Sequence, residues 1–163
     1  MLIRPLDPVT DRTRVDRFFL EAADYIRLER DADPDAEVTE EYFTAHPPGV
    51  DPATSYRVGL FDRDHLAGLA DLAFGWPEAK DAFLGLMMFA PVARGRGLGR
   101  IFLRHLEAEA RRREAAQLYI AVLDANPRGR AFWEREGFRL ALANRPVTLG
   151  AKTQIAHRMV KSL

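Results

Sequence analysis

The chain has 163 residues, 24 lysines and arginines against 24 aspartates and glutamates, and no cysteine. The balanced charge argues against a surface built for nucleic acid or an anionic membrane, both of which need net positive charge. The lack of cysteine excludes disulfides, thiolate metal sites and a cysteine nucleophile.

The length is that of one domain over residues 1–163, able to bury about 70% of its unfolded surface. No apolar run has signal-peptide or bilayer-spanning length, so a soluble cytoplasmic protein with no membrane partner is the expectation. Leu2 to Leu6 reads as a first strand. Thr10 or Asp11 can cap a helix whose apolar residues Val15, Phe18, Phe19, Ala22 and Ile26 recur at helical spacing. Asp31 to Glu37 is acidic and contains Pro34, which marks a loop. Thr39, followed by Glu40 and Glu41, predicts the cap of a short second helix that stops before Pro47. Tyr56 to Phe61 and Leu66 to Phe74 form a predicted hairpin, and Phe83 to Phe89 a central strand. A helix from Leu98 carries Phe102, Leu106 and Ala110 on one stripe. Leu118 to Leu123 is a buried strand, Pro127 to Glu136 a helix stopped by Gly137, and Phe138 to Leu142 with Thr153 to Val160 a closing pair of strands.

Between the central strand and the long helix lies Arg94-Gly95-Arg96-Gly97-Leu98-Gly99. Glycine adopts positive φ and lets backbone approach a ligand closely. A helix beginning at Leu98 adds unpaired N–H groups and the positive end of its dipole, so the element suits a pyrophosphate. It is not a P-loop, because Gly99 is followed by Arg100 and Ile101 instead of Lys and Ser or Thr. Nor is it a dinucleotide fingerprint, because neither Gly95 nor Gly97 has a glycine five or three positions on in the required register. Arg94, Arg96, Arg100 and Arg104, with Arg128 and Arg130, are candidates for a local basic patch; Arg111 to Arg113 read as the solvated end of a helix.

The run Arg94 to Gly99, with Pro91 before it, resembles the acetyl-CoA loop of the GCN5-related N-acetyltransferases. Asn126, Phe132, Trp133, Glu134, Gly137 and Phe138 resemble that family's second motif, at its usual separation. The resemblance implies an α/β fold with a central mixed sheet of about seven strands flanked by about four helices. It implies acetyl-CoA as co-substrate, no metal, and an amine acceptor, either a small molecule or a protein amino group. It also implies a pantetheine arm paired with the edge of Met87, Met88 and Phe89, the Phe89 N–H polarising the thioester carbonyl, and coenzyme contacts from Arg94, Gly95, Arg96, Gly97, Leu98, Gly99, Arg100, Asn126 and Trp133. Homodimers are common among such proteins.

The proton taken from the amine needs a base. Asp71 interrupts an apolar strand and is the leading candidate, with Glu78 and Asp81 behind it. Tyr25, Tyr42 and His46 fall in the segments that, by resemblance, wall the acceptor site; Tyr119 and His157 read as packed strand residues. Asp31, Asp33, Asp35 and Glu37 either attract a cationic amine or simply solvate a loop. Trp133 occupies the position of the tyrosine that often protonates the leaving thiolate, and an indole N–H cannot do so. Asn126 either contacts the coenzyme or caps the helix behind Pro127. The sequence therefore supports an N-acetyltransferase first, a non-catalytic acetyl-CoA binding or sensing module second, and an unrelated nucleotide-phosphate domain third.

Overall fold

The computed structural model describes residues 1–163. Seven strands form one sheet: β1 (Leu2–Pro5), β2 (Tyr56–Asp62), β3 (His65–Phe74), β4 (Asp81–Phe89), β5 (Gln117–Leu123), β6 (Arg139–Leu149) and β7 (Lys152–Ser162), in the spatial order β1-β2-β3-β4-β5-β7-β6. All neighbours are antiparallel except β4 and β5. Five helices cover it: α1 (Arg12–Glu21), α2 (Ala23–Arg30), α3 (Ala36–Thr44), α4 (Leu98–Arg112) and α5 (Pro127–Arg135). One apolar cluster, including Leu98, Phe102, Leu106 and Trp133, lies under α4 and α5; the other, including Phe18, Phe19, Ile26 and Tyr42, lies under α1 to α3.

Three expectations at the N-terminal end need correction. The first helix is two helices, which makes five where about four were expected. The break falls at the fully buried Ala22, and neither glycine nor proline causes it. Packing does: α1 lies on α3 and β3, whereas α2 turns towards β7, and one straight axis cannot serve both. Asp11 stands before α1 but its side chain does not cap it. Its buried carboxylate accepts two hydrogen bonds from Arg4, at 2.7 and 2.8 Å, and one from the Asp7 N–H. Hydrogen bonding by Arg4 holds that carboxyl down at about 2. Finally, α3 begins at Ala36 within the supposed loop. Asp35 caps it through the N–H groups of Glu37 and Val38, and Thr39 is buried within the helix.

The long helix sits where its stripe requires. Gly97 is its N-cap residue, and Leu98, Phe102, Leu103, Leu106 and Ala110 are buried. Gly99 is not a turn residue. A Cβ there would meet the Phe132 ring at 3.1 Å, so this glycine lets α4 and α5 approach. Gly99→Val is expected to lower unfolding free energy by about 1–3 kcal/mol through overpacking, measurable by thermal or denaturant unfolding.

Candidate active site

The parallel pairing of β4 with β5 runs only from Asp81–Gln117 to Leu84–Ile120. Beyond it β5 continues beside β7, and Leu86 to Phe89 keep a neighbour on the β3 side alone. The direction of the freed groups follows from the register. The Ala90 N–H donates to the Ala67 carbonyl, and Gly68 faces Phe89. Antiparallel alternation therefore turns Met88 to β3, and the N–H groups of Met87 and Phe89 the other way, into the opening left by β5. The Phe89 carbonyl points there too, and accepts a 3.0 Å hydrogen bond from Arg94 Nε.

The loop after β4 has the expected backbone. Gly95 and Gly97 have φ of +72° and +75°, and a Cβ on either would meet nothing within 4 Å. No backbone N–H from Gly95 to Arg100 finds an acceptor within the chain, and no side chain caps α4. Six donors are thus left without an acceptor at the positive end of a helix dipole, which fits the pyrophosphate of coenzyme A. The arginines are less free than the sequence suggests: Arg94 is paired with Asp24, Arg96 with Asp62 and Arg100 with Glu136.

Helix α2 stands over the opening. Its Asp24 holds Arg94, whose Nε holds Phe89, while the hydroxyl of the half-buried Tyr25 faces both the Asn126 amide at the end of β5 and the Glu29 carboxylate of its own helix. Burial pushes the Tyr25 phenol well up, so it retains its proton. Asn126 Oδ1 accepts from the Gly129 N–H at 2.9 Å, which makes it the cap of α5. Trp133 corrects an expectation. Its ring is buried, edge-on to Phe132 at 4.9 Å and to Phe138 at 5.2 Å, so it packs the core beneath α5. A bicyclic ring without a hydroxyl gains most from burial there.

A cavity of about 390 Å³ lies between α2, α3, the Ala45 to Pro48 segment and strands β3 and β4, with Leu149 at one end. Gly85, Leu86 and Met88 line it from the freed half of β4, so cavity and opening share a wall. Asp71 lies in it, as the interrupted apolar strand suggested. Its Oδ1 is buried, accepts no hydrogen bond, and stands 3.6 Å from Arg57 Nε. Burial pushes its carboxyl up to about 6, against the pull of Arg57. Glu29 lies there as well, raised by burial to about 7. The sequence reading missed it, although a signal was present: Glu29 continues the spacing of Ala22 and Ile26 on the buried side of the helix.

Tyr42 and His46 also line the cavity, Tyr42 with its hydroxyl bonded to the Ala70 carbonyl. Glu78 and Asp81 do not reach it; Asp81 Oδ2 accepts the Glu78 N–H in a local turn. His157 is buried between the Asn144 N–H and Asp124, and Tyr119 lies on β5. Asp31 and Asp33 are paired with Lys152 and Arg27, and Asp35 is a helix cap, so the acidic segment has structural uses. No group of three acidic or histidine side chains is placed to hold a metal ion, and no helix is long and apolar enough to cross a membrane.

The sequence matches the model of the acetyltransferase (GNAT) family over residues 19–138. The chain belongs to that family. The structure of an acetyltransferase from Thermus thermophilus is 26% identical, with a TM-score of 0.81 over 100% of this chain and 98% of that one. A ribosomal-protein-alanine N-acetyltransferase from Brucella melitensis is 20% identical, with a TM-score of 0.76 over 100% of both chains. The ribosomal-protein-S18-alanine N-acetyltransferase from Escherichia coli is 21% identical, with a TM-score of 0.71 over 99% of this chain and 92% of that one; these last two likenesses are of fold. No curated protein matches the sequence. The mixed sheet of this GNAT acetyltransferase is therefore the family's, and acetyl-CoA is the family's co-substrate. Its strands β6 and β7, which close the sheet and supply Leu149 to the cavity, lie beyond the matched residues.

Proposed function

We propose that this acetyltransferase moves an acetyl group from acetyl-CoA to a primary amine held beside Asp71, by direct attack. The observation that carries the reading is the parting of β4 from β5, which aims the Phe89 N–H into an opening whose β4 wall, at Leu86 and Met88, also lines the cavity of Asp71. In it, the N–H groups from Gly95 to Arg100 hold the pyrophosphate, and the Met87 and Phe89 edge orients the pantetheine arm. Acetyl-CoA, when bound, supplies an acyl carbonyl and a thiolate leaving group.

An alkylammonium has a pKa of about 10.4, so about one molecule in a thousand is neutral at pH 7. Asp71 takes one proton from it. The freed nitrogen forms the C–N bond as the C–S bond breaks, the Phe89 N–H stabilises the developing oxyanion, and the nitrogen's second proton leaves with the thiolate as coenzyme A thiol. The proton on Asp71 passes to solvent. A single oxyanion donor is worth about 3–4 kcal/mol, and a positioned base about 10²–10⁴ in rate.

With Trp133 in the core, α5 offers no phenol. Tyr25 offers one from α2, between the Phe89 and Asn126 sides of the opening, and because it keeps its proton it acts as a hydrogen-bond donor to the leaving sulfur. Tyr25→Phe is expected to lower kcat about tenfold, the value of one bond to a charged group, and to leave KM for acetyl-CoA unchanged.

Amine-dependent release of coenzyme A tests the proposal. A thiol reagent reads it without background, because the protein has no cysteine. The second reading, binding without turnover, draws on Trp133; it would stand if acetyl-CoA bound and no amine in a broad panel released the thiol.

A further inference from the structure

The walls of the cavity are more particular than acetyl transfer requires. Glu29, Glu41 and Asp71 contribute three carboxylates from three different elements. Two guanidiniums stand near them; both hold other partners, although Arg30 Nε is buried without one. Arg30, which draws Glu29 back down, is paired with Glu41. Arg57 donates to the carbonyls of Tyr42, Ala45 and Pro52, at 2.7, 2.8 and 3.3 Å. The buried Asp71 oxygen is thus taken from water with little in return, and Glu29 is pushed up by burial even with Arg30 and the Tyr25 hydroxyl beside it, an arrangement that a cation entering the cavity would relieve.

Apart from Tyr42 and His46, the remaining lining is apolar. Trp76 and Phe83 meet edge-on at 4.7 Å, and Phe19, Ile26 and Leu86 line the same cavity. Arg158 lies over the Trp76 ring at 4.4 Å and helps to fix it. The volume, about 390 Å³, falls at the small end of ligand pockets, which span roughly 300–1,000 Å³.

We propose that the acceptor is a monoamine with one compact apolar arm, its ammonium between Glu29 and Asp71 and its arm against Trp76 and Phe83. This rests on the acetyl-transfer reading above, and the bonds made and broken are the same. A polyamine would bring further charges towards the Trp76 ring, whose cation site Arg158 already fills. A peptide N-terminus would bring backbone donors and acceptors that this wall cannot satisfy.

The test uses the full chain with four acceptors: phenethylamine, n-hexylamine, spermidine and a short peptide with a free N-terminal alanine. The first two are expected to give kcat/KM at least about tenfold above the others. Phenethylamine alone, without acetyl-CoA, is expected to bind calorimetrically. Trp76→Ala should raise KM for phenethylamine about tenfold, and Glu29→Gln should raise KM for both monoamines, with kcat changed less than about threefold in each. Preference for spermidine or the peptide, or no binding of phenethylamine, would overturn the acceptor assignment and leave acetyl transfer standing. Failure of every amine to release coenzyme A, despite acetyl-CoA binding, would overturn both.

Discussion

Asp71→Asn is expected to lower kcat/KM for the amine by about 10²–10⁴ while making the protein more stable at neutral pH. The activity loss follows from removing the group that takes the ammonium proton. In the wild type, kcat/KM should rise with pH through a limb near 6, where Asp71 ionises, and the variant should lack that limb. The charged and titratable groups around Asp71 are Arg57 from β2 and Tyr42 from α3, with Glu29 and Arg30 from α2, Glu41 from α3 and His46 beyond it lining the same cavity. Glu29, near 7, adds a separate dependence in amine affinity that the variant keeps.

The stability gain has a sign that can be checked. The fold raises the Asp71 carboxyl from 3.8 to about 6, chiefly by burial. Between those values the folded chain holds a proton that the unfolded chain has lost, so stability falls as pH rises, and the penalty is complete above about 6. Asparagine has no such penalty. Its advantage is at most ~3 kcal/mol at pH 8 and vanishes near pH 3. Denaturant unfolding at both pH values measures it. A variant that keeps full activity would move the base to Glu29.

Gly97→Glu is expected to weaken acetyl-CoA binding at least about 100-fold, from the micromolar range. Two effects act together. At φ +75° a side chain is strained, because the left-handed region costs a residue other than glycine roughly 1–2 kcal/mol. The new carboxylate also stands among the donors from Gly95 to Arg100, where it competes for them and repels a pyrophosphate. One like-charge contact at 4 Å is worth about 4 kcal/mol at an effective dielectric of 20, more than the ~3 kcal/mol that a 100-fold loss needs. The space around Gly97 is open, so the fold should survive, with unchanged circular dichroism. Equal calorimetric affinities for wild type and variant would remove the phosphates from this loop.

The two halves of the candidate site differ in how far the sequence discloses them. The half assigned to the coenzyme is local: a strand, a glycine loop, a helix, a strand and an asparagine-capped helix follow one another from Asp81 to Arg135, and each is set by short-range spacing. Gly95 and Gly97 could be read as positive-φ positions from their neighbours alone. Gly99 looked alike in the string, yet its reason is Phe132 on another helix. The acceptor half is assembled from α2, α3, β3, β4 and the tip of β6, so no window of sequence contains it. Asp71 was visible because a carboxylate breaks an apolar strand. Glu29 was hidden by the acidic and basic residues around it, although its spacing gives it away. The bend at Ala22 had no local sign at all, since distant partners impose it.

Strand β7 finishes the helix that carries Glu29. Gln154 donates to the carbonyls of Leu28 and Glu29, at 2.8 and 2.6 Å, and Lys152 reaches Asp31. Those carbonyls belong to the last turn of α2, which no residue of the helix itself can satisfy. The consequence is one of timing. On the ribosome, the stretch that forms the glycine loop and its helices emerges before β7 and closes over short loops. The wall assigned to the amine has to wait, with an unfinished helix at its centre, until β7 is out. The half assigned to the coenzyme thus takes shape first and the half assigned to the acceptor last.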